Sequence, residues 1–244
     1  MERILLCTNY PNLYGLGLYN IEKETAVRIF TDVNKRFNKL VRDSIFTNRL
    51  TMTKYYFYGG PFPQPNNPIL DRYCSEVLPS IHDKIKWLNV EPSAMERILL
   101  CTNYPNLYGL GLYTIKKETA VRIFTDKTRL IHIFQNQISS LVIDFFQNKK
   151  PTLTEYSNED MFECILNIFS KLQYFHFGQS PFRYQRLWFT IPPTIFSSTL
   201  LELHVSLESF IDCLYLLDGR FDSLQRLSVN INRILSPERI IDNK

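Results

Sequence analysis

The chain has 244 residues, of which 45% are hydrophobic and 21% are charged, and its formal net charge is +4. This length allows one continuous repeat array or two small domains with an ample apolar core. The charge is too mild to predict nucleic-acid binding, and no apolar run approaches the roughly 20 residues of a membrane-spanning helix. We therefore expect a protein that binds neither nucleic acid nor membranes.

Cysteine usage indicates the compartment. The five cysteines are Cys7, Cys74, Cys101, Cys164 and Cys213. Their number is odd, and none belongs to a Cys-x-x-Cys pair, so a disulfide framework is not indicated. Free thiols that pack in the interior of a protein in a reducing environment fit best. We expect an intracellular protein, cytoplasmic or nuclear.

The first element along the chain is a block at 1–32 that recurs at 95–126 with only two differences, one of which is Asn20 against Thr114. The second copy follows the strand-like segment 85–90, so we predict that this copy joins a sheet. The first copy is expected to cap an end, to pack loosely or to exchange with another molecule, which would give a domain-swapped dimer. Whether the first copy is genuine or an artefact of the gene model stays open.

Residues 33–58 form the next predicted element, a helical segment. Val33, Phe37 and Leu40 fall on one helical face, and basic residues occupy the other. The basic face is interpreted as solvated, with a nucleic-acid patch as the alternative. Residues 59–68 are rich in proline and glycine and are predicted to be a linker, although Pro65-x-x-Pro68 also fits an SH3-type ligand in polyproline form.

Between 69 and 235 the pattern apolar-x-x-apolar-x-apolar recurs. Its leading residues are Ile85, Leu107, Ile138, Leu172, Leu200 and Leu224, at intervals of 22, 31, 34, 28 and 24 residues. Alternation in the last part of the pattern predicts a short strand with one buried face. One strand and one helix per unit predict an α/β fold of the leucine-rich-repeat-like solenoid type, with parallel strands backed by helices and a small helical N-terminal region. The alternative is an ordinary α/β domain whose strands are rich in leucine. Residues 236–244 are predicted to be a C-terminal tail.

Two helices of this region have recognisable ends. Ser157-x-x-Asp160 resembles a capping box and predicts a helix start. A second helix is predicted from apolar residues at helical spacing that end before Gly219; these are Leu207, Phe210, Ile211, Leu214 and Leu217.

Alignment of the strands predicts two columns of residues on one face of the sheet. The first column is Trp87, Gly109, Ser140, Tyr174, Glu202 and Arg226, and the second is Asn89, Gly111, Val142, His176, His204 and Ser228. In a solenoid these positions face the concave side, where partners bind, and His176 and His204 would lie about 5 Å apart. The predicted residues for binding a protein client are Trp87, Tyr113, Tyr174, His176, Glu202, His204 and Arg226. The alternative is that the histidines are ordinary surface residues.

The sequence lacks the common motifs of catalytic sites. The sequence has no Gly-rich phosphate loop, no Gly-x-Ser-x-Gly and no His-Glu-x-x-His, and its four histidines lack metal-ligand spacing. We therefore predict no catalytic residues, no metal, no cofactor and no enzymatic activity. A hydrolase-like enzyme is the alternative and would need a convergent pocket that no motif indicates.

A family resemblance follows from these segments. Val33-x-x-x-Phe37-x-x-Leu40, followed by Asp43 and Phe46, resembles the second half of an F-box. The repeat region that follows resembles the leucine-rich repeats that commonly come after an F-box. Over about 33–235 the chain is thus similar to the F-box/leucine-rich-repeat family, with the first half of the F-box missing.

The resemblance implies a substrate adaptor of cullin–RING ubiquitin ligases, whose repeats hold a protein client. Val33, Phe37, Leu40 and Phe46 would contact the ligase adaptor protein. The Leu-Pro-x-Glu-like start of an F-box is absent before Val33, which puts docking to that adaptor in question. The alternative is a scaffold or structural leucine-rich-repeat protein with no link to a ligase, and the client is not indicated by the sequence.

Overall fold

The computed structural model describes residues 47–52, 68–125, 133–145, 157–178 and 186–234. The first copy of the duplicated block, the F-box-like residues Val33, Phe37, Leu40 and Phe46, and the tail 236–244 lie outside the described residues. So does the linker 59–68, apart from its last residue, which begins the first described helix.

Strands and helices alternate along most of the described chain. The strands are β1 (Arg49–Met52), β2 (Trp87–Val90), β3 (Gly109–Ile115), β4 (Ser140–Phe145), β5 (Tyr174–Phe177), β6 (Glu202–Ser209) and β7 (Arg226–Arg233). The helices are α1 (Pro68–Arg72), α2 (Leu78–Ile81), α3 (Pro92–Leu100), α4 (Lys117–Thr125), α5 (Asn158–Ile168) and α6 (Phe210–Leu216), and a π-helical turn, Tyr73–Val77, joins α1 to α2. The seven strands form one sheet in chain order, and every adjacent pair is parallel. The α/β class is confirmed.

The strand register agrees with the alignment predicted from the sequence. One row across the sheet, called here the first row, holds Arg49, Trp87, Gly109, Ser140, Tyr174, Glu202 and Arg226. The second row holds Thr51, Asn89, Gly111, Val142, His176, His204 and Ser228. Both predicted columns are confirmed, and β1 extends each of them by one residue.

A repeated backbone contact joins each strand to the next. The carbonyl oxygen of Asn48 accepts hydrogen bonds from the N–H groups of Lys86 and Trp87, both at 2.9 Å. The carbonyls immediately before β2 to β6 each accept two such bonds from the next segment, and they belong to Lys86, Tyr108, Ser139, Gln173 and Leu201. Because the contact recurs at every step, all seven strands begin at the same level of the sheet.

Strand β1 corrects the prediction that 33–58 is helical, which is wrong at residues 49–52. Thr47 occupies the position that a leading apolar residue holds in the other units, and it is only 2% exposed. Leu50 and Met52 follow at the expected spacing and pair with Leu88 and Val90 of β2. The repeat pattern of the sequence omits this strand because threonine is not apolar. The sheet therefore begins before the linker 59–68 rather than after it.

The second copy of the duplicated block, 95–126, lies within the sheet region as predicted. It supplies most of α3, the whole of β3 and α4. Strand β3 pairs with β2 on one side and β4 on the other. Near its end the register with β4 shifts between Leu112 and Ile115, and Thr114 there has a φ of 55°.

The core lies along one face of the sheet. Five of the six leading residues of the repeat pattern are completely buried, namely Ile85, Leu107, Ile138, Leu172 and Leu200. Phe162 of α5 stacks on Phe175 of β5, with 5.6 Å between ring centroids, and meets Phe177 edge to face. Burial of one such phenylalanine contributes about 2–3 kcal/mol of transfer free energy. The inward residues of β5 therefore fix α5 against the sheet.

Capping boxes begin two helices. The Ser157 hydroxyl accepts the N–H of Asp160 at 3.1 Å and the Asp160 carboxylate accepts the N–H of Ser157 at 2.7 Å, which confirms the predicted start of α5. Ser209 and Asp212 make the same reciprocal pair at α6. These pairs satisfy N–H groups that have no partner within the helix.

The second predicted helix needs a correction. Leu207 belongs to β6, and α6 begins only after Ser209. The four other apolar residues from which this helix was predicted are exposed by 45–58% of their surface; they are Phe210, Ile211, Leu214 and Leu217. The capping box turns Asp212 inward, so Cys213 and Leu216 are the apolar residues of this helix that are buried. Helical spacing predicted the helix but not its buried side.

Candidate functional site

The face of the sheet opposite the core carries the predicted client-binding residues. Side chains alternate between the two faces of a strand, and the burial pattern of β6 alternates accordingly from Glu202 onward. Seven residues predicted to bind a client lie on this face, and they are Trp87, Tyr113, Tyr174, His176, Glu202, His204 and Arg226. We call this the polar face.

Two glycines shape the polar face beside Trp87. A Cβ atom at Gly109 would lie 2.0 Å from Cε3 of Trp87, so the indole ring lies directly over the backbone of β3. A Cβ atom at Gly111 would lie 2.3 Å from Oδ1 of Asn89 and 2.7 Å from Cε2 of Tyr113. Glycine is therefore required where three larger side chains approach the strand.

Hydrogen bonds hold the indole ring in this position. Nε1 of Trp87 donates to Oδ1 of Asn89 at 2.6 Å, and Nδ2 of Asn89 donates to Oγ1 of Thr51 at 2.9 Å. Tyr108 packs edge to face against Trp87 with 6.4 Å between ring centroids. This partly buried chain fixes the side-chain geometry because both polar atoms of the Asn89 amide have a partner.

An open groove of about 430 Å³ lies beside Trp87. Its walls come from strands β1 to β5 and from the residue before β3, and they are Arg49, Trp87, Tyr108, Tyr113, Ser140, Val142, Tyr174 and His176. The guanidinium of Arg49 lies over the Trp87 ring, with 4.5 Å from Cζ to the ring centroid. This contact is a cation–π interaction.

Imidazole and phenol rings continue the face across β5 and β6. His176 and His204 stack with 5.0 Å between ring centroids, which agrees with the spacing predicted from the sequence. Tyr174 tilts against His204 at 5.3 Å. Oε1 of Glu202 lies 2.7 Å from Nε2 of His204 and accepts a hydrogen bond from Arg226 at 3.1 Å.

The pKa values of three side chains in this cluster differ from those of free side chains. Burial, together with the neighbouring His204, lowers the pKa of His176 to about 4. Burial, followed by the charge of Glu202, raises the pKa of Tyr174. The hydrogen bond from His204 lowers the pKa of Glu202. At neutral pH the cluster therefore contains a neutral His176, a phenol and a carboxylate.

Acidic residues at the β6 end of the face are paired with arginines. Glu202 is paired with Arg226, and Glu208 lies within 3.4 Å of Arg186 and 3.0 Å of Arg233. Hydrogen bonds from Asn232 and Arg186 lower the pKa of Glu208. The charges at this end of the face therefore largely compensate one another.

Sequence reasoning did not identify four walls of the groove, Arg49, Tyr108, Ser140 and Val142, as binding residues. Ser140 belongs to the predicted first column but was not among the residues predicted to bind a client. Arg49 was hidden because its strand was interpreted as part of the F-box-like helix. Tyr108 precedes β3 and lies outside the alternating positions. Val142 belongs to the predicted second column, but an apolar residue gave no sign of a binding role. The signal that could have located Arg49 is the spacing of Thr47, Leu50 and Met52.

The described cysteines are free thiols. Burial raises the pKa of Cys164 and of Cys213, and burial together with neighbouring Cys101 raises the pKa of Cys74 to about 11. These thiols are therefore poor nucleophiles at neutral pH. Within the described ranges, no cluster of three or more His, Cys, Asp or Glu side chains is arranged to hold a metal ion.

Comparisons with known proteins gave no relatives. No protein-family model matches the chain. No curated protein and no solved structure matches it either. In the part of the chain that the structure describes, none of the helices has both the length and the apolar character needed to cross a membrane.

Proposed function

We propose that this protein is a protein-interaction module with a leucine-rich-repeat-like solenoid fold, and that its polar face binds a protein client. The observation that carries the proposal is the repeated contact in which one carbonyl before each strand accepts two N–H groups from the next segment. Parallel strands in chain order, each equivalent to the last, are what a stack of similar units produces.

The turns that enter the strands support the same architecture. The N–H of Leu107 donates to the carbonyl of Tyr104, three residues earlier, and Leu172 and Phe169 repeat this contact at 3.0 Å. Leu224 and Phe221 make it again. The aromatic residue of each pair is buried. The same turn, with a buried aromatic residue three positions before a leading leucine, thus enters three of the strands, as expected of similar stacked units.

The composition of the polar face supports a binding role. Tryptophan, tyrosine and arginine are the residues most enriched where protein interfaces are energetically strong. Trp87, Tyr174 and Arg226 supply these side chains along the first row. They remain partly or largely exposed; the Arg226 side chain, for example, is 71% exposed. A partner that covered this face would bury aromatic surface without first disturbing the core.

The ligase part of the proposal rests on sequence resemblance. Val33, Phe37, Leu40 and Phe46 would dock a cullin-ligase adaptor, and the polar face would present a client for ubiquitin transfer. The module would bring no chemistry of its own and would act by holding the client close to a reactive partner. Free thiols in the described residues fit the intracellular location that this role requires.

Affinity capture with matched variants tests client binding. We expect the combined variant Tyr174→Ala/His204→Ala/Arg226→Ala to lose proteins that the wild type captures. The control variant Arg72→Ala/Glu76→Ala/Arg122→Ala alters helix residues away from the polar face and should retain them. If the wild type, the polar-face variant and the control variant all capture the same proteins, the proposed binding face is wrong.

A second capture tests the ligase link. The wild-type chain, and a variant with a complete F-box joined before Val33, are compared for co-purification of the cullin-ligase adaptor. Recovery of the adaptor with the completed F-box supports the adaptor role and the missing-half interpretation. If neither chain recovers it, the ligase role is rejected and a scaffold role replaces it.

A further inference from the structure

The groove beside Trp87 carries a single positive charge among its wall residues. Of its eight wall residues, Arg49 is the only one with a formal charge at neutral pH, because burial and His204 keep His176 neutral. No carboxylate of the described residues lies within ion-pair distance of Arg49. The two arginines of β7 differ, since Arg226 pairs with Glu202 and Arg233 with Glu208.

The guanidinium of Arg49 lies over the Trp87 ring in a position that leaves its N–H groups able to bind an oxyanion. Its Cζ lies 4.5 Å from the centroid of Trp87, so the cation is held against one face of the indole ring. A guanidinium can bind an aromatic face and still present its N–H fork to an oxyanion. Because Asn89 and Gly109 fix the ring, the cation rests on a preorganised support.

Apart from Val142, the remaining walls of the groove are aromatic or carry a hydroxyl group. Tyr113 and Tyr174 provide rings and phenol groups, and Ser140 provides a hydroxyl. The volume of about 430 Å³ lies near the lower end for ligand sites. It is adequate for one or two side chains of a peptide and too small for a folded element.

We propose that this groove binds an acidic peptide segment, in which one Asp or Glu carboxylate pairs with Arg49 and a neighbouring aromatic or apolar side chain packs against the tyrosine walls. This inference rests on the proposed client binding and specifies the chemistry of the client. The β6 end of the face, where charges are already paired, contributes contact area rather than charge selection.

The test uses Trp87 as its reporter. The chain has two tryptophans, so Trp188→Phe, which alters a side chain that is 60% exposed, leaves Trp87 as the sole source of indole emission. The full chain carrying Trp188→Phe is titrated at low salt with capped Ala-Glu-Phe-Glu-Ala. The same peptide with glutamine in place of glutamate is the ligand control.

We expect a saturable change in Trp87 emission with the acidic peptide. Affinity should fall about fivefold to tenfold for the glutamine peptide and for Arg49→Gln, since a charge-assisted pair is lost in each case. Arg49→Lys should give an intermediate value. Arg233→Gln, which alters an arginine of β7 that is already paired with Glu208, should leave the affinity within twofold of the wild-type value. Thermal unfolding of each variant shows whether the fold is retained.

Equal affinity for the two peptides, an unchanged affinity in Arg49→Gln, or no saturable binding would each overturn the inference. These failures are separable from a failure of the proposed function. If Tyr174→Ala/His204→Ala/Arg226→Ala still loses its captured client while the acidic peptide does not bind, client binding stands and the acidic chemistry is wrong. If the capture shows no dependence on the polar face, the proposed function itself fails.

Discussion

Gly109 lies directly beneath the ring of Trp87, so close that a Cβ atom at position 109 would be 2.0 Å from Cε3 of the indole. Because Asn89 holds the indole nitrogen at 2.6 Å, the ring cannot move aside without losing a hydrogen bond. The absence of one side chain on β3 thereby sets the position of an aromatic residue on β2.

We expect Gly109→Ala to lower the free energy of unfolding by about 1–3 kcal/mol through overpacking. In a Trp87→Ala background the same substitution should cost at least about 1 kcal/mol less, because the clashing ring is gone. Chemical denaturation of the four chains of this double-mutant cycle measures the difference. Equal costs in both backgrounds would contradict the assigned contact.

The duplicated block supplies a second prediction. Thr114 has a φ of 55°, which is unfavourable for a β-branched residue, and the first copy of the block has Asn20 at the equivalent position. Thr114→Asn should raise the free energy of unfolding by about 0.5–1 kcal/mol, because asparagine tolerates this conformation better. Thr190→Asn, at an exposed position, should change it by less than about 0.5 kcal/mol. If Thr114→Asn lowers the free energy of unfolding, the backbone strain assigned to Thr114 is contradicted.

Asp212 joins three parts of the C-terminal region. Its carboxylate accepts the N–H of Phe189 at 2.8 Å and both the N–H and the hydroxyl of Ser209, and the residue is 1% exposed. Asp212→Ala should cost about 2–4 kcal/mol because buried donors lose a charged acceptor. Asp222→Ala, an exposed control, should cost under about 0.5 kcal/mol. Thermal and urea unfolding check both, and equal costs would remove the special role of Asp212.

His176 gives a prediction on pH. Its folded pKa of about 4 lies below the ordinary 6.5, so the unfolded chain binds this proton more tightly than the folded chain does. The stability that neutral His176 contributes is present above about pH 6.5 and is lost as pH falls toward 4. His176→Gln should therefore lose less stability than the wild type over this window.

An NMR titration of the His176 ring checks the cause directly. His204→Gln should raise the pKa of His176, since the neighbouring imidazole is one of the two causes of its lowering. The value should stay below 6.5 in that variant because burial remains. An unchanged pKa in His204→Gln would show that the stacked pair is not coupled.

The pKa of Asp144 is shifted upward, so its effect on stability has the opposite dependence on pH. Its Oδ1 is buried and has no hydrogen-bond partner within the described part of the chain, and burial raises the pKa of this carboxyl to about 6. The stability that the protonated form contributes is present below about pH 4 and is lost as pH rises through 6. Asp144→Asn should stabilise the protein at pH 8 by about 0.5–1.5 kcal/mol after allowance for solvent screening. The gain should vanish at pH 4, and a gain that is equal at both pH values would show that the charge is not its source.

The sequence was informative where burial and alternation coincide. The leading residues from Ile85 to Leu224 predicted both the strands and their register, because a shift of one residue would move the core residues of a strand to the solvent side. It was uninformative where a polar residue takes a buried place. Thr47 concealed β1, and with it Arg49. The spacing of apolar residues in α6 did not reveal that Asp212 lies on its buried side.

The roles of the residues were harder to predict than their places. Trp87, His176 and His204 were assigned to one face from spacing alone, and the structure places them there. The groove beside them depends on Gly109 and Gly111, and the sequence did not reveal which side chains approach these two glycines. Side-chain packing across strands decides such features, and a linear pattern does not contain it.

The strands lie in the sheet in the same order as in the chain, so successive segments of the sequence add successive strands along one direction. Each strand depends for its backbone pairing on its immediate neighbours. On β7, the last described strand, Leu227, Val229 and Ile231 are only partly buried. Truncation from this side would shorten the polar face strand by strand, so that Arg226 would be removed first and Arg49 last.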